Sequence, residues 1–376
     1  MKLGWERLNL GQLCKVQSGN SNTQDAVADG PYVFFDRSRT PKRSSRYLFD
    51  CEALVVAGEG SEFRPKKANG KFDLHQRAYA IHEFGDRLLR DFLFYYLEHV
   101  HEYFQGIAVG ATVKSLRQRH FENLVVVVPP LDEQKRIVAK LDQAFAALDR
   151  VRENAVANLA DAEAVFEQTL LSIFDGLLSN TTMMPLAEAA IDFSRGKSKH
   201  RPRNDPALYE GAYPFIQTGD VRQAQGTIRE FSQTYNEFGL AQSKLWPVGT
   251  VCITIAANIA ETGVLGMEAC FPDSVIGMVP DPKSATPCYV EYMLRYFSKE
   301  LKLKGKGSAQ DNINLATFEG AMFPFPSLAQ QNAIVEKLDA LAESVSTLRG
   351  SYTRALEEVA ALRQSLLQAA FSGQLT

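Results

Sequence analysis

The chain has 376 residues, 45% of them hydrophobic, which suits two or more packed domains and excludes a disordered or fibrous protein. Its formal net charge of −3 excludes a uniformly basic nucleic-acid binder, and no apolar run of about eighteen residues is present to cross a membrane. The polar opening "MKLGWERLNL" does not read as a signal peptide, so a soluble, cytoplasmic protein is expected.

In chain order, the first half offers a glycine-containing opening ("VQSGNSNT"), strands at "PYVFF" and "ALVVAGEG", and an aromatic helix at "FLFYYLEH". A long helix then opens at Pro129 with "PPLDEQKRIVAKLDQAFAALD". Charge divides at that point. Residues 1–130 carry 18 Lys and Arg against 15 Asp and Glu, a net of +3, whereas residues 131–178 carry 5 against 9, a net of −4. The acidity sits in the helix, and basic clusters elsewhere are free to act locally. The second half repeats the order: an opening ("FSRGKSKH"), strands at "YPFIQ" and "GTVCITIA", an aromatic helix at "YVEYMLRYF", and a helix opening at Phe325, "FPSLAQQNAIVEKLDALAESV". The cysteines (Cys14, Cys51, Cys252, Cys270, Cys288) form no C-x-x-C pair and the histidines no H-x-x-x-H spacing, so reduced, mostly buried thiols and no structural metal are expected.

The two helix openings match at one constant offset of 197 residues: Leu131 with Leu328, Gln134 with Gln331, Ile137 with Ile334, Leu141 with Leu338, and on to Phe174 with Phe371, without a gap. The chain is therefore a tandem duplication of a unit of roughly 180 residues, each a mixed α/β domain followed by a long helix. Along the second helix Ile334, Leu338, Leu341, Val345, Leu348 and Tyr352 alternate by four and three, and the stripe continues to Leu366. The first helix has Ile137, Leu141, Ala144, Leu148, Val151 and Ala155 in the equivalent places. Its smaller side chains suit interdigitation with the larger ones, with Ala155 near Tyr352, and chain connectivity requires the second helix to run back along the first. The expected fold is α+β, with two pseudo-symmetric mixed α/β domains separated by two long helices that form an antiparallel coiled coil. The boundaries are 1–130 for the first domain, 131–178 for the first helix, 179–327 for the second domain and 328–376 for the second helix. Two similar domains in inverted orientation suit a partner with two sites, and duplex DNA fits because dimeric readers match their symmetry to spaced half-sites.

The order of domain, helix, domain, helix, with Pro129, Pro130, Glu133, Gln134, Ile137, Val138, Leu141 and Asp142 at the first helix opening, resembles the specificity subunit of type I restriction-modification systems over essentially the whole chain. The second opening departs from the motif at Ser327 and Gln330 and keeps Gln331, Ile334, Val335, Leu338 and Asp339. The resemblance implies a non-catalytic subunit whose two target-recognition domains each read one half of a bipartite double-stranded DNA target. It implies helices that set the spacing, two docked methyltransferase subunits, and restriction subunits in the full complex. No cofactor of its own is expected, since S-adenosylmethionine, ATP and Mg would be held by those partners. In keeping with that, the sequence has no G-x-x-x-x-G-K-[ST] phosphate loop and no N/D-P-P-Y/F tetrapeptide.

Base readout calls for Arg, Lys, Asn or Gln, and phosphates are held by further basic and hydroxyl groups. In the first domain "DRSRTPKRSSR" offers Arg37, Arg39, Lys42, Arg43 and Arg46, and "FRPKKANGK" offers Arg64, Lys66, Lys67 and Lys71. In the second, "SRGKSKHRPRND" offers Arg195, Lys197, Lys199, Arg201 and Arg203, followed by Gln217, Thr218, Lys304 and Lys306. Two other classes stay open: a bivalent protein-binding coiled-coil scaffold, and the specificity portion of a fused methylase-nuclease.

Overall fold

The computed structural model describes residues 4–375 apart from 61, 225, 257–258, 307–312 and 319, and also apart from the side chain of Lys306. Two compact units form, Met1–Ala157 with Ser351–Thr376, and Asn158–Gly350, so each long helix contributes a half to each unit.

In the first unit a four-stranded antiparallel sheet runs in the order Lys15–Ser18, Ala78–His82, Ala53–Ala57, Pro65–Ala68. The strand Ala53–Ala57 is covered on both faces. Leu54 and Val56 join a core with Phe92 and Leu93 of the helix Arg90–His99, while Ala53 and Val55 pack with Phe35, Phe49 and Phe72 of a second sheet. Burial on both sides explains why "ALVVA" is continuously apolar instead of alternating. That second sheet has the order Lys42–Ser44, Tyr32–Phe35, Lys71–Leu74, Phe49–Asp50, with the central pair parallel.

The second unit repeats the scheme with the order Ala190–Arg195, Val275–Pro280, Val251–Thr254, Thr262–Leu265, Thr227–Ile228. Val251 and Ile253 pack with Tyr289, Val290 and Met293 of the helix Pro287–Lys306, and Cys252 lies in the cluster of Trp246 and Phe271 on the other face. Gly277, on the adjacent strand, has no room for a Cβ, which would lie 2.6 Å from the Phe271 ring and 2.7 Å from that of Trp246.

A duplicated polar clamp joins each aromatic helix to the long helix of its own copy. Buried Gln134 donates to the Arg87 and Pro129 carbonyls, both at 2.8 Å, and accepts from the Leu89 N–H at 2.8 Å. Buried Gln331 does the same at Ser284 (2.8 Å), Pro326 (2.9 Å) and Thr286 (2.9 Å), and all these partners are related by the 197-residue offset. The Tyr95 hydroxyl donates to Asp142 and that of Tyr292 to Asp339, again one offset apart. The Gln and Asp of the helix-opening motif therefore serve to seat the helix on its domain.

The long helices span Leu131–Leu178 and Leu328–Ser372. In the first unit they run antiparallel: Lys140 donates to the Leu375 carbonyl at 2.6 Å and Arg363 pairs with Asp149 at 2.8 Å, so one number rises as the other falls. The Arg363 guanidinium also covers the Phe145 ring at 4.2 Å. In the second unit Arg349 pairs with Glu163 at 2.7 Å. Each helix ends on an aromatic helix. Phe371 meets Phe92, Tyr96 and His99 in the first unit, and its equivalent Phe174 meets Tyr289 and Tyr296 in the second.

The heptad stripe needs correction. Leu148, Ala155 and Val345 are shielded and Leu341 and Tyr352 half-buried, but Val151 and Leu348 are 48% and 38% exposed. Ile137, Leu141, Ile334 and Leu338 belong to the domain cores as much as to the seam. The shielded line on the first helix passes through Leu141, Phe145, Leu148, Ala155, Leu159, Ala162, Phe166, Leu170, Ile173 and Leu177, with exposed Arg152 as its one interruption. On the second it passes through Ile334, Leu338, Leu341, Val345, Arg349, Tyr352, Leu356, Val359, Arg363, Leu367 and Ala370. Each line advances 36 residues in ten steps, the period of about 3.6 of a straight helix. A strict 3.5 repeat drifts about 20° per heptad from that line, which carries Val151 and Leu348 out to solvent. Ala155→Trp is accordingly expected to overpack the shielded line and cost about 1–3 kcal/mol. Val151→Ser, one helical turn away, should stay within about 0.5 kcal/mol. Urea denaturation of both variants checks this, and equal costs would reject the corrected line.

Candidate nucleic-acid interface

Antiparallel order brings the ends of four strands together at one edge of the main sheet in each unit. In the first unit these are the exits of Lys15–Ser18 and Ala53–Ala57 and the entries of Ala78–His82 and Pro65–Ala68. The exit of Tyr32–Phe35 joins them, because His75 N–H donates to the Phe35 carbonyl at 2.9 Å. The loop residues 36–39, 58–60, 62–64 and 75–77 meet there.

Arg37, Arg39, Arg64 and Lys66 line a small cleft at this edge with Asp36, Glu59 and Glu62. Arg37 pairs with Glu59 at 2.9 Å, Arg39 pairs with Glu62, Lys42 pairs with Asp36 at 2.7 Å, and the Lys66 ammonium donates to the Ser38 carbonyl. Arg77, which lies outside the basic clusters of the sequence, also binds Glu59. Its only sequence signal was its place between two apolar strands, in "LHQRAYA". Burial pushes the carboxyls of Asp36 and Glu59 up, but Lys42 and Ser38 at the first, and Arg77 and Arg37 at the second, outweigh it and hold both below the ordinary carboxylate range.

Other basic residues singled out in the sequence are engaged elsewhere. Arg43 donates to the Gly30 and Pro31 carbonyls, at 2.7 and 3.0 Å, and staples that turn. Arg46 donates to Asn20 and Ser21 and sits 3.6 Å from fully buried Asp73, which also accepts from Ser21 and Ser44. Lys67 pairs with Asp91 at 2.9 Å and covers the Phe94 ring, and Arg64 reaches Glu98 at 2.5 Å, so both tie the sheet to the helix Arg90–His99. Lys71 lies over the Tyr47 ring.

In the second unit the equivalent edge holds the exit of Ala190–Arg195 and the entry of Val275–Pro280. Arg195 donates twice to the Asp273 carbonyl, at 2.8 and 2.5 Å, and Arg203 pairs with the Asp273 carboxylate at 2.7 Å. The loop between them is held throughout. Gln242 accepts from the Lys199 and His200 N–H groups, Ser243 donates to the Lys197 carbonyl, Arg201 donates to the Ser198 and His200 carbonyls, and His200 contacts Asp205. The ammonium groups of Lys197 and Lys199 are exposed and form no ion pair among the described residues.

Gln217 and Thr218 do not stand as free readers. Gln217 is the cap of the helix Thr218–Gln223: its N–H donates to Asp220 and its amide to Gln233, and Thr218 begins the helix. Lys304 pairs with Glu300 one turn earlier on its helix at 2.8 Å, and the Lys306 side chain lies outside the described residues. Lys302, on the same helix, pairs with Glu261 beside the entry of Thr262–Leu265.

The family model described as type I restriction modification DNA specificity domain matches residues 2–158 and again residues 192–356. The chain belongs to that family. It is 23% identical over 410 residues to the type I restriction enzyme EcoDI specificity subunit of Escherichia coli, covering 100% of this chain and 90% of that protein. It is 21% identical over 304 residues to the putative MjaX specificity subunit of Methanocaldococcus jannaschii, covering 76% and 68%. Its fold is similar to a structure from work on complex assembly and conformational transition of the type I R-M system, with a TM-score of 0.73, 19% identity and 99% of both chains covered. It is similar also to the HsdS subunit from Thermoanaerobacter tengcongensis, with a TM-score of 0.59, 19% identity and 100% and 98% covered. The two matched stretches carry the two basic sheet edges, and the role of the chain is that of a type I specificity subunit. No helix among the described residues is long and apolar enough to cross a membrane.

Proposed function

We propose that each basic sheet edge reads one half of a bipartite duplex target, and that the long helices set the gap between the half-sites. Two methyltransferase subunits dock on the helices, and restriction subunits join the full complex. The chain itself carries out no chemistry: S-adenosylmethionine, ATP and Mg are bound by the partner subunits. The observation that supports this reading is that the same edge of both duplicated sheets gathers arginines held by acidic residues and backbone carbonyls. Such preorganisation lowers the entropic cost of binding. Arg37, Arg39, Lys42, Lys66 and Arg77 form the surface of the first domain, and Arg195, Lys197, Lys199, Arg201 and Arg203 that of the second.

Lys197 and Lys199 give the cleanest test, because they form no ion pair among the described residues. Replacing both by alanine is expected to weaken duplex binding by the assembled complex. It should lower the slope of log affinity against log salt by about one per lost phosphate contact, leaving cofactor binding by the methyltransferase unchanged. Extending the change to Arg201 and Arg203 should weaken binding further. Equal affinity of the double variant and the native complex at two salt concentrations would place the phosphates on another surface.

A further inference from the structure

Glu59 holds two arginines at once. One carboxylate oxygen accepts from Arg37 at 2.9 Å and the other from Arg77. The acid is the inner member, with its side chain 9% exposed, while those of Arg37 and Arg77 are 46% and 59% exposed. The backbone around it is pinned from both sides. Gly58 N–H donates to the Arg77 carbonyl at 2.8 Å and Leu116 N–H to the Gly58 carbonyl at 2.7 Å. Gly60 N–H donates to the Lys114 carbonyl at 3.0 Å, and Glu59 forms a bridge to Ser115. Gly58 must be glycine, since a Cβ would lie 2.6 Å from the Tyr79 ring and 2.8 Å from the Arg77 carbonyl. Arg77 is fixed further by its own N–H, which donates to the buried His75 ring at 3.0 Å.

This arrangement suits one ligand chemistry better than another. A phosphate contact is driven by charge and would be opposed by a carboxylate within a few ångströms. The edge of a base is neutral, and its recognition depends on the direction of the donors. The N7 and O6 acceptors of guanine match an arginine fork, and an arginine already held by a buried acid loses less freedom on binding them. We infer that Glu59 is a specificity-positioning residue, which aims Arg37 and Arg77 as a paired donor set at guanine in the half-site of the first domain. The inference rests on the proposed DNA-reading role and adds which residues carry sequence information there.

Removing the acid separates positioning from charge. Glu59→Gln leaves the shape, raises the positive charge of the surface and keeps one carbonyl acceptor where two oxygens served two arginines. The native complex and the variant, each purified with its partner subunits, are to be offered duplexes randomised in both half-sites, and their binding to a scrambled duplex measured alongside. Preference for guanine at one or two positions of one half-site is expected to fall about ten- to a hundredfold, with the other half-site unchanged. Binding to the scrambled duplex should stay level or rise, because a negative charge has gone. Arg77→Lys should lose the same preference while keeping the salt slope, since a point charge cannot replace the fork. Unchanged selection by Glu59→Gln, or equal weakening on selected and scrambled duplexes, would overturn the inference and leave Glu59 a loop anchor. A native complex that selects no bipartite sequence would overturn the DNA-reading role itself.

Discussion

Gln134→Leu is expected to destabilise the first unit by about 3–5 kcal/mol, because leucine fills the space and leaves the Leu89 N–H and the Arg87 and Pro129 carbonyls without their partner. A buried unpaired group costs about 1–3 kcal/mol, and the filled volume denies water a way to replace the amide. Gln331→Leu should have the same effect in the second unit, where Thr286, Ser284 and Pro326 take the equivalent places. Each variant should lower the denaturation midpoint of one unit first and so broaden or split the transition of the chain. Tryptophan provides a local reading, since Trp5 belongs to the first unit and Trp246 to the second. A loss below about 1 kcal/mol in either variant would show that the glutamine is not the clamp its geometry implies.

Lengthening both long helices is expected to change the gap in the DNA target without changing either half-site. Four helix-forming residues placed after Asn154 and four after Ser351, its equivalent at the 197-residue offset, add about 6 Å along the axis. At about 3.4 Å per base pair the gap should grow by one or two base pairs. Because the shielded line advances about 3.6 residues per step, four residues also turn it by about 40°, whereas eleven residues turn it by only about 20° and add about 16 Å. The eleven-residue pair should therefore retain more methylation, with a gap longer by about four or five base pairs. Sequencing of methylated sites in cells carrying each variant gives the motif directly. Methylation that persists at the original spacing in either variant would show that the helices do not set the gap.

The duplication was legible in the residues alone, since Gln134 and Gln331, Leu141 and Leu338, and Phe174 and Phe371 keep one offset with no gap. So were the two long helices, because a stripe of apolar residues sustained over that length has few other ways to be buried. The antiparallel sense followed from connectivity, and the ion pair of Asp149 with Arg363 agrees with it in the first unit. Two positions of the interface stripe did not follow. Val151 and Leu348 lie on the heptad line, but whether a helix keeps a 3.5 or a 3.6 period depends on its supercoil, which packing decides.

The basic loops were legible as loops with charge, but the sequence did not distinguish their members. Lys67, Arg64, Arg43 and Lys197 are alike as letters, yet three hold the fold together and the fourth has no ion pair among the described residues. Arg77 and Glu59 stood 18 residues apart with no local pattern to connect them. By itself the sequence determined what repeats and local periodicity encode: a duplicated α/β domain, two long helices, and a net charge too small to serve as the binding signal. Only the tertiary structure decided which charged groups meet, because strand order brings Tyr32–Phe35, Ala53–Ala57 and Ala78–His82 to one edge across long stretches of chain. An ion pair depends on that separation in space, over a few ångströms, which neither the spacing of residues nor their type records.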